Sequence, residues 1–213
     1  MTTLSLLFWV TEETPRPPSS TVPRDHPVPL LLPSPLPGVH SPASQTNVKA
    51  FEVYQQVDPA LVTEMFLWIR ENERQLYKSA VASLTAARKL RPVFVEKKPV
   101  PEQIAWLHKT LKLRSSDTLG EHLFQAYFMK GQKELLIAFC DGMGIEHDGE
   151  GSVEGSLPDT LDDGKLKTII DSLLGAHNPK LVTLYLTLFN LQTPNGWDNL
   201  SQILKEDERL TLA

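Results

Sequence analysis

The 213-residue sequence has a single cysteine, Cys140, so it contains no internal disulfide. Small secreted domains commonly depend on several disulfides, whereas reduced cysteines are typical of the cytosol. Cys140 also shares the apolar face of a predicted helix with Leu136, Phe139 and Met143, which indicates a buried thiol and not a nucleophile. Cysteine usage therefore favours a cytoplasmic protein.

Long apolar runs are scarce as well. Beyond the proline-rich start, the longest uncharged run covers residues 181–197, and threonine, asparagine, glutamine and proline interrupt it. A spanning helix needs roughly 20 mostly apolar residues. The short apolar stretch 4–10 follows no Lys or Arg and precedes no small-residue cleavage site, so it does not resemble a signal peptide. We expect neither a membrane span nor a membrane partner.

The chain has no overall excess of positive charge. Its 21 Lys and Arg against 26 Asp and Glu give a net charge of -5, which excludes a surface that is cationic throughout. The charges are unevenly placed, however. Residues 70–114 contain 11 basic and four acidic residues, a balance of +7, whereas residues 115–213 contain seven basic and 16 acidic residues, a balance of -9. A local basic surface is therefore expected.

Sequence motifs of common enzymes are also missing. The chain has no His-Glu-x-x-His, Cys-x-x-Cys, Gly-x-Ser-x-Gly or phosphate-binding glycine loop. Glu121, His122 and His147 would form a metal or acid/base site only if the fold brought them together with other carboxylates. His108 and His122 are more typical of surface or partly buried positions. We therefore predict no cofactor, and a metal-dependent enzyme is the second alternative for the function.

Prolines are concentrated at one end of the chain. Residues 1–47 contain ten of the 17 prolines and only five charged residues, a composition that blocks regular helices and strands. This pattern predicts a disordered, extended segment. A ligand for an aromatic groove, with Pro15 and Pro18 at a suitable spacing, and a translation start assigned too far upstream are the alternatives.

From Val48 onward, apolar residues recur every three or four positions, as in amphipathic helices. Asp58-Pro59 and Asn178-Pro179 combine a capping side chain with proline at the first helical position. The pattern predicts one all-α domain over residues 48–213, built as a compact bundle of antiparallel helical hairpins. Matching caps and turns at an offset of 47 residues, such as Ser116 with Asp163, leave a short helical-repeat solenoid as the alternative.

Three prolines break the helical pattern in residues 91–101, for which we predict an extended connector. The connector and the preceding helix end form a candidate basic patch. Its members are Arg88, Lys89, Arg91, Phe94, Lys97 and Lys98. Cationic side chains beside an exposed aromatic ring suit a phosphate backbone with stacked bases, so nucleic acid binding through residues 70–114 is the first alternative for the function.

Residues 141–163 form a predicted acidic loop with eight carboxylates and no Lys or Arg. Against the calcium-loop pattern, Glu146, Asp148 and Glu150 take ligand positions, but Leu157 occupies the twelfth position, where a bidentate Glu is required. A solvated loop is therefore favoured over a cation site.

Taken together, these features predict a non-catalytic module that binds another protein. Helical hairpins offer grooves for a partner, and the charged segments offer complementary surfaces. The sequence does not identify the partner.

Overall fold

The computed structural model describes residues 49–192 and 196–213, which form α-helices, one 3₁₀ turn and no strands. This confirms the predicted all-α class. The helices are α1 (Ala50–Gln56), α2 (Pro59–Asn72), α3 (Arg74–Ala87), α4 (Val93–Glu96), α5 (Val100–Leu111), α6 (Asp117–Gly131), α7 (Lys133–Met143), α8 (Asp163–Ala176), α9 (Pro179–Asn190) and α10 (Asp198–Glu206). The proline-rich segment 1–47 lies outside the described residues. Pro194 and Asn195, whose residue types favour a turn, lie outside them as well.

The amino-terminal half is organised around α2. The Asp58 side chain accepts a hydrogen bond from Ala60 N at 2.6 Å, and Pro59 follows at the first helical position, as the sequence predicts. Helices α3, α5 and α6 pack against α2, and α1 packs against α6. The Tyr54 ring of α1 stacks on Phe124 of α6 with 4.2 Å between centroids.

The carboxyl-terminal half consists of the hairpins α6–α7 and α8–α9, with α10 on α9. Asn178 caps α9 by accepting a hydrogen bond from Lys180 N. Buried aromatic rings on α6, α7 and α9 connect the hairpins, and the last of them stacks on Trp197, which is 3% exposed. Trp197 is thus a core residue, whereas Trp68 and Trp106 are half-buried against the core.

Contacts between distant parts of the chain make the fold a compact bundle. In a solenoid, each repeat contacts only its neighbours. Here α6 packs against α1, α2, α5 and α7, and its Phe128 ring lies 5.8 Å from Tyr185 of α9. Asp58 N donates a hydrogen bond to Leu212 O at 2.7 Å, and the Asp58 carboxylate pairs with Lys180. The two ends of the described chain therefore meet.

The predicted extended connector at residues 91–101 is wrong in one respect, because residues Val93–Glu96 form a helical turn. Pro92 adopts helical dihedral angles, and its carbonyl accepts a hydrogen bond from Glu96 N at 3.0 Å. The Val95 side chain is buried, so packing against α3 and α5 stabilises a turn that the β-branched sequence alone disfavours.

No helix in the described ranges combines the length and apolar character that crossing a bilayer requires.

Candidate interaction surface

The corner between α3 and α4 carries an unusual group of exposed apolar side chains. Large apolar residues are more than one-third exposed at few positions in the described ranges, and three of these lie within five residues. Phe94 is 62% exposed, Leu90 42% and Val93 41%. An apolar cluster that remains in contact with water is typical of a surface that a partner covers.

Five cationic residues flank these apolar residues along the chain, and all five are exposed. We call them the cationic frame. They are Arg88, Lys89, Arg91, Lys97 and Lys98. Lys98 pairs with Glu102 across one turn at 3.2 Å, and the other four form no ion pair with a described residue. We call residues 88–98 the corner surface. All six members of the predicted basic patch lie on it, and the structure adds Leu90 and Val93.

Helix α3 ends in a turn that fixes the start of the corner surface. Lys89 N donates to Ala86 O at 2.9 Å, and Leu90 N donates to Thr85 O at 2.8 Å. These two bonds define a Schellman motif, with Lys89 in its left-handed position at φ 56°. The turn directs the chain away from α3 and leaves Leu90 exposed.

A buried amide holds the other end of the corner surface. Gln103 of α5 is 8% exposed, and its Nε2 donates to Glu96 O at 3.1 Å and to Lys98 O at 2.8 Å. Its Oε1 accepts a hydrogen bond from the Tyr77 hydroxyl of α3 at 3.0 Å. The hydrogen bonds of Gln103 therefore connect the end of α4 to both α3 and α5. No sequence pattern indicates this role of Gln103, because the role depends on three helices that meet only in the fold.

An open groove adjoins the corner surface between α2, α3 and α5. Its volume is about 420 Å³, and Arg70, Arg74 and Lys78 line it together with Glu71 and Glu96. The charges of these five side chains leave a balance of +1. The groove thus extends the cationic character of the corner surface along α3 without forming a strongly charged pocket.

Part of the predicted acidic loop is folded, because residues 146–154 form a short hairpin whose carboxylate side chains remain exposed. His147 and Val153 form a single antiparallel bridge, and Val153 is 1% exposed. The Asp148 carboxylate accepts hydrogen bonds from Glu150 N at 2.8 Å and Ser152 N at 3.0 Å, so it shapes its own turn. Lys133 of α7 pairs with Glu150 at 2.5 Å. These carboxylates stabilise the loop.

Glu121 and His122 are neighbours on α6, whereas His147 lies in different surroundings. The charges acting on Glu121 are those of Asp117, Lys49 and His122, and burial is the main cause that raises the pKa of the Glu121 carboxyl. His147 Nε2 instead lies 3.1 Å from Asp141 Oδ1. Within the described ranges, no three His, Cys, Asp or Glu side chains are grouped as metal ligands would be.

The buried thiol of Cys140 is 1% exposed, as the apolar stripe predicts. Burial raises its pKa to about 12, and the negative charges of Asp141 and Asp148 act in the same direction. A thiol with such a high pKa is protonated at neutral pH, and it is therefore a poor nucleophile.

His108 of α5 is a buried histidine with a structural bond. Its Nε2 lies 2.9 Å from Tyr54 O of α1, which places a proton on Nε2 in the neutral form. Burial lowers the pKa of His108 below its ordinary value, the hydrogen bond to Tyr54 opposes this effect, and the charge of Lys112 adds to it.

We expect acid to destabilise the fold through His108. Because the folded-state pKa lies below the unfolded one, the unfolded chain binds the proton more tightly, and stability falls as the pH drops below about 6.5. His108→Gln keeps a donor for Tyr54 O but does not titrate. Urea unfolding from about pH 7.5 to about pH 5 should therefore show a smaller loss of stability in the variant than in the parent protein. Equal losses would contradict this assignment.

A scan against protein-family models, a search of curated proteins and a search of solved structures each found no match to this chain. A proposal for its function therefore rests on the chemistry of its own surface.

Proposed function

We propose that this protein is a non-catalytic interaction module that binds an acidic, amphipathic segment of a partner protein at the corner surface. The observation that supports this function is that residues 88–98 hold three exposed apolar side chains flanked along the chain by five exposed cationic ones. Protein interfaces combine an apolar centre with a polar rim in the same way. The single buried cysteine agrees with a cytoplasmic location, which we include in the proposal.

The chemistry of the centre favours a protein over a nucleic acid. Single-stranded nucleic acids are bound by aromatic side chains on which bases stack, and Phe94 is the one aromatic residue of the corner surface. Leu90 and Val93 are aliphatic, so they complement apolar side chains better than base edges. The net charge of -5 also opposes general attraction to a polyanion, whereas a local frame of cations suffices for a short acidic segment.

The cationic frame determines which protein segment fits. Four of its five cations have no anionic partner among the described residues, so carboxylates of a partner would meet them without breaking existing ion pairs. Such exposed pairs contribute mainly to association rate and specificity, and the apolar centre supplies most of the affinity. A surface of one helical corner is small, which is typical of a transient complex with a short segment.

Selection of displayed random peptides on the immobilised full chain tests this proposal. We expect the selected peptides to combine Asp or Glu with large apolar residues. Phe94→Ser should weaken the best of them at least about tenfold in fluorescence anisotropy, because it removes the central apolar anchor. Lys97→Glu with Lys98→Glu should weaken it too and should lower the salt dependence of its affinity.

Leu67→Ser provides the matched control, since Leu67 is 44% exposed on α2 outside the corner surface. This variant should bind the peptide as the parent protein does. Two results would overturn the proposal: selected peptides without acidic residues, or an unchanged affinity in Phe94→Ser. Short single-stranded RNA and duplex DNA are tested in parallel. Salt-sensitive nucleic acid binding that is lost in the double Lys variant, without peptide binding, would establish the alternative function.

A further inference from the structure

The Schellman motif at the end of α3 differs from the usual motif in two residues. The left-handed position of a Schellman motif usually holds glycine, because a side chain there crowds the backbone. Lys89 occupies it with φ 56°, and it is the one non-glycine residue with positive φ in the described ranges. The next residue usually packs against the helix end. Here that residue is Leu90, which is 42% exposed.

Helix α7 ends in the same motif and follows both rules. Gly144 N donates to Asp141 O at 3.1 Å, and Ile145 N donates to Cys140 O at 2.9 Å. Gly144 has φ 72°, and Ile145 is 8% exposed. The same chain therefore builds one of these turns with the favoured residues and the other with a lysine and an exposed leucine.

We infer that Lys89 and Leu90 determine the specificity of the corner surface, and that their placement favours binding over stability. This inference rests on the proposed function. Backbone strain and locally unfavourable residues are concentrated at sites where binding requires them. The Schellman turn makes Lys89 and Leu90 consecutive exposed residues at the edge of the apolar cluster. The matching feature of the partner is a carboxylate directly beside a large apolar side chain.

Lys89→Gly separates binding from stability. Glycine adopts the left-handed conformation without crowding, so we expect the melting temperature to rise by about 2–4 °C. The same variant removes one cation of the frame, and the affinity for the peptide selected on the parent protein should fall about threefold to tenfold. Lys89→Arg keeps the charge and should keep most of the affinity, whereas Leu90→Ser should lose it.

Gly144→Lys is the matched control at the end of α7. It places a lysine in the same left-handed position outside the corner surface, so it should lower the melting temperature and leave peptide affinity unchanged. If Lys89→Gly binds the peptide as the parent does while Phe94→Ser does not, this inference fails and the proposed function stands. If no peptide is selected on the parent protein, both fail.

Discussion

Replacing Gln103 by methionine should lower the free energy of unfolding by about 2–4 kcal/mol. Methionine has a similar length but no donor or acceptor of comparable strength. The change would leave Glu96 O, Lys98 O and the Tyr77 hydroxyl without the bonds that they make to Gln103. A buried polar group that loses its partner costs about 1–3 kcal/mol, and water reaches part of this site through the adjoining groove.

Urea unfolding of the full chain, followed by circular dichroism, measures this loss. Tyr77→Phe is the matched control, because it removes the hydroxyl that binds Gln103 and keeps the bonds of Gln103 to Glu96 O and Lys98 O. We expect it to cost about 1 kcal/mol. A loss in Gln103→Met no larger than that in Tyr77→Phe would show that the two carbonyls do not depend on the amide.

Gln103→Met should also make the α4 part of the corner surface less rigid. Gln103 forms no hydrogen bond with the Phe94 ring or with a cationic side-chain group, yet its amide holds the backbone carbonyls of Glu96 and Lys98. Hydrogen exchange of the α4 amides should therefore become faster in Gln103→Met than in Tyr77→Phe. A binding surface on a single helical turn depends on such support, because a turn this short is not stable by itself.

Local chemistry made much of the fold predictable from the sequence. Asp58 and Asn178 cap their helices through their own side chains, and a proline follows each of them, so neighbouring residues alone define these starts. Helical periodicity likewise predicts the apolar faces that the bundle buries. The choice between bundle and solenoid required contacts such as Asp58 N to Leu212 O, which no periodicity encodes.

Features that depend on tertiary contacts were not predictable. Glycine commonly closes a helix in a left-handed conformation, and the sequence favours that role for Gly131. Gly131 is instead the last residue of α6, and Gln132 follows with φ -130°. A Cβ at Gly131 would lie 2.8 Å from the Trp68 ring, so close packing explains the glycine. The turn of α4 similarly depends on the burial of Val95 and on Gln103, which is distant in sequence.

The corner surface likewise contains residues that the sequence identifies and residues that only the fold reveals. The cations of the corner surface are consecutive or nearly so, and exposed cations need no fold to be recognised, so the sequence located them. Leu90 lies at a predicted helix end and Val93 in the predicted extended connector, and burial is the ordinary expectation for large apolar side chains. Their exposure became evident only from the turn at Lys89 and from the orientation of α4.

Gly151→Ala should lower the free energy of unfolding by about 2–4 kcal/mol. Two physical causes act together at this position of the acidic hairpin. Gly151 has φ 89°, which strains any residue with a Cβ, and that Cβ would lie 2.5 Å from Leu136 Cβ in the buried face of α7. The Leu136 Cβ is fixed to the helix backbone and cannot rotate away, so the helix or the hairpin must move.

Gly149→Ala measures the cost of backbone strain at positive φ without the close contact to α7. Gly149 has φ 79° in the same hairpin, but nothing lies within 4 Å of the position that its Cβ would take. We expect this control to cost about 1 kcal/mol from backbone strain alone. Urea unfolding of both variants at neutral pH gives the contribution of packing as the difference between them. Equal losses would contradict the prediction, because they would mean that packing of Gly151 against Leu136 of α7 contributes nothing to stability.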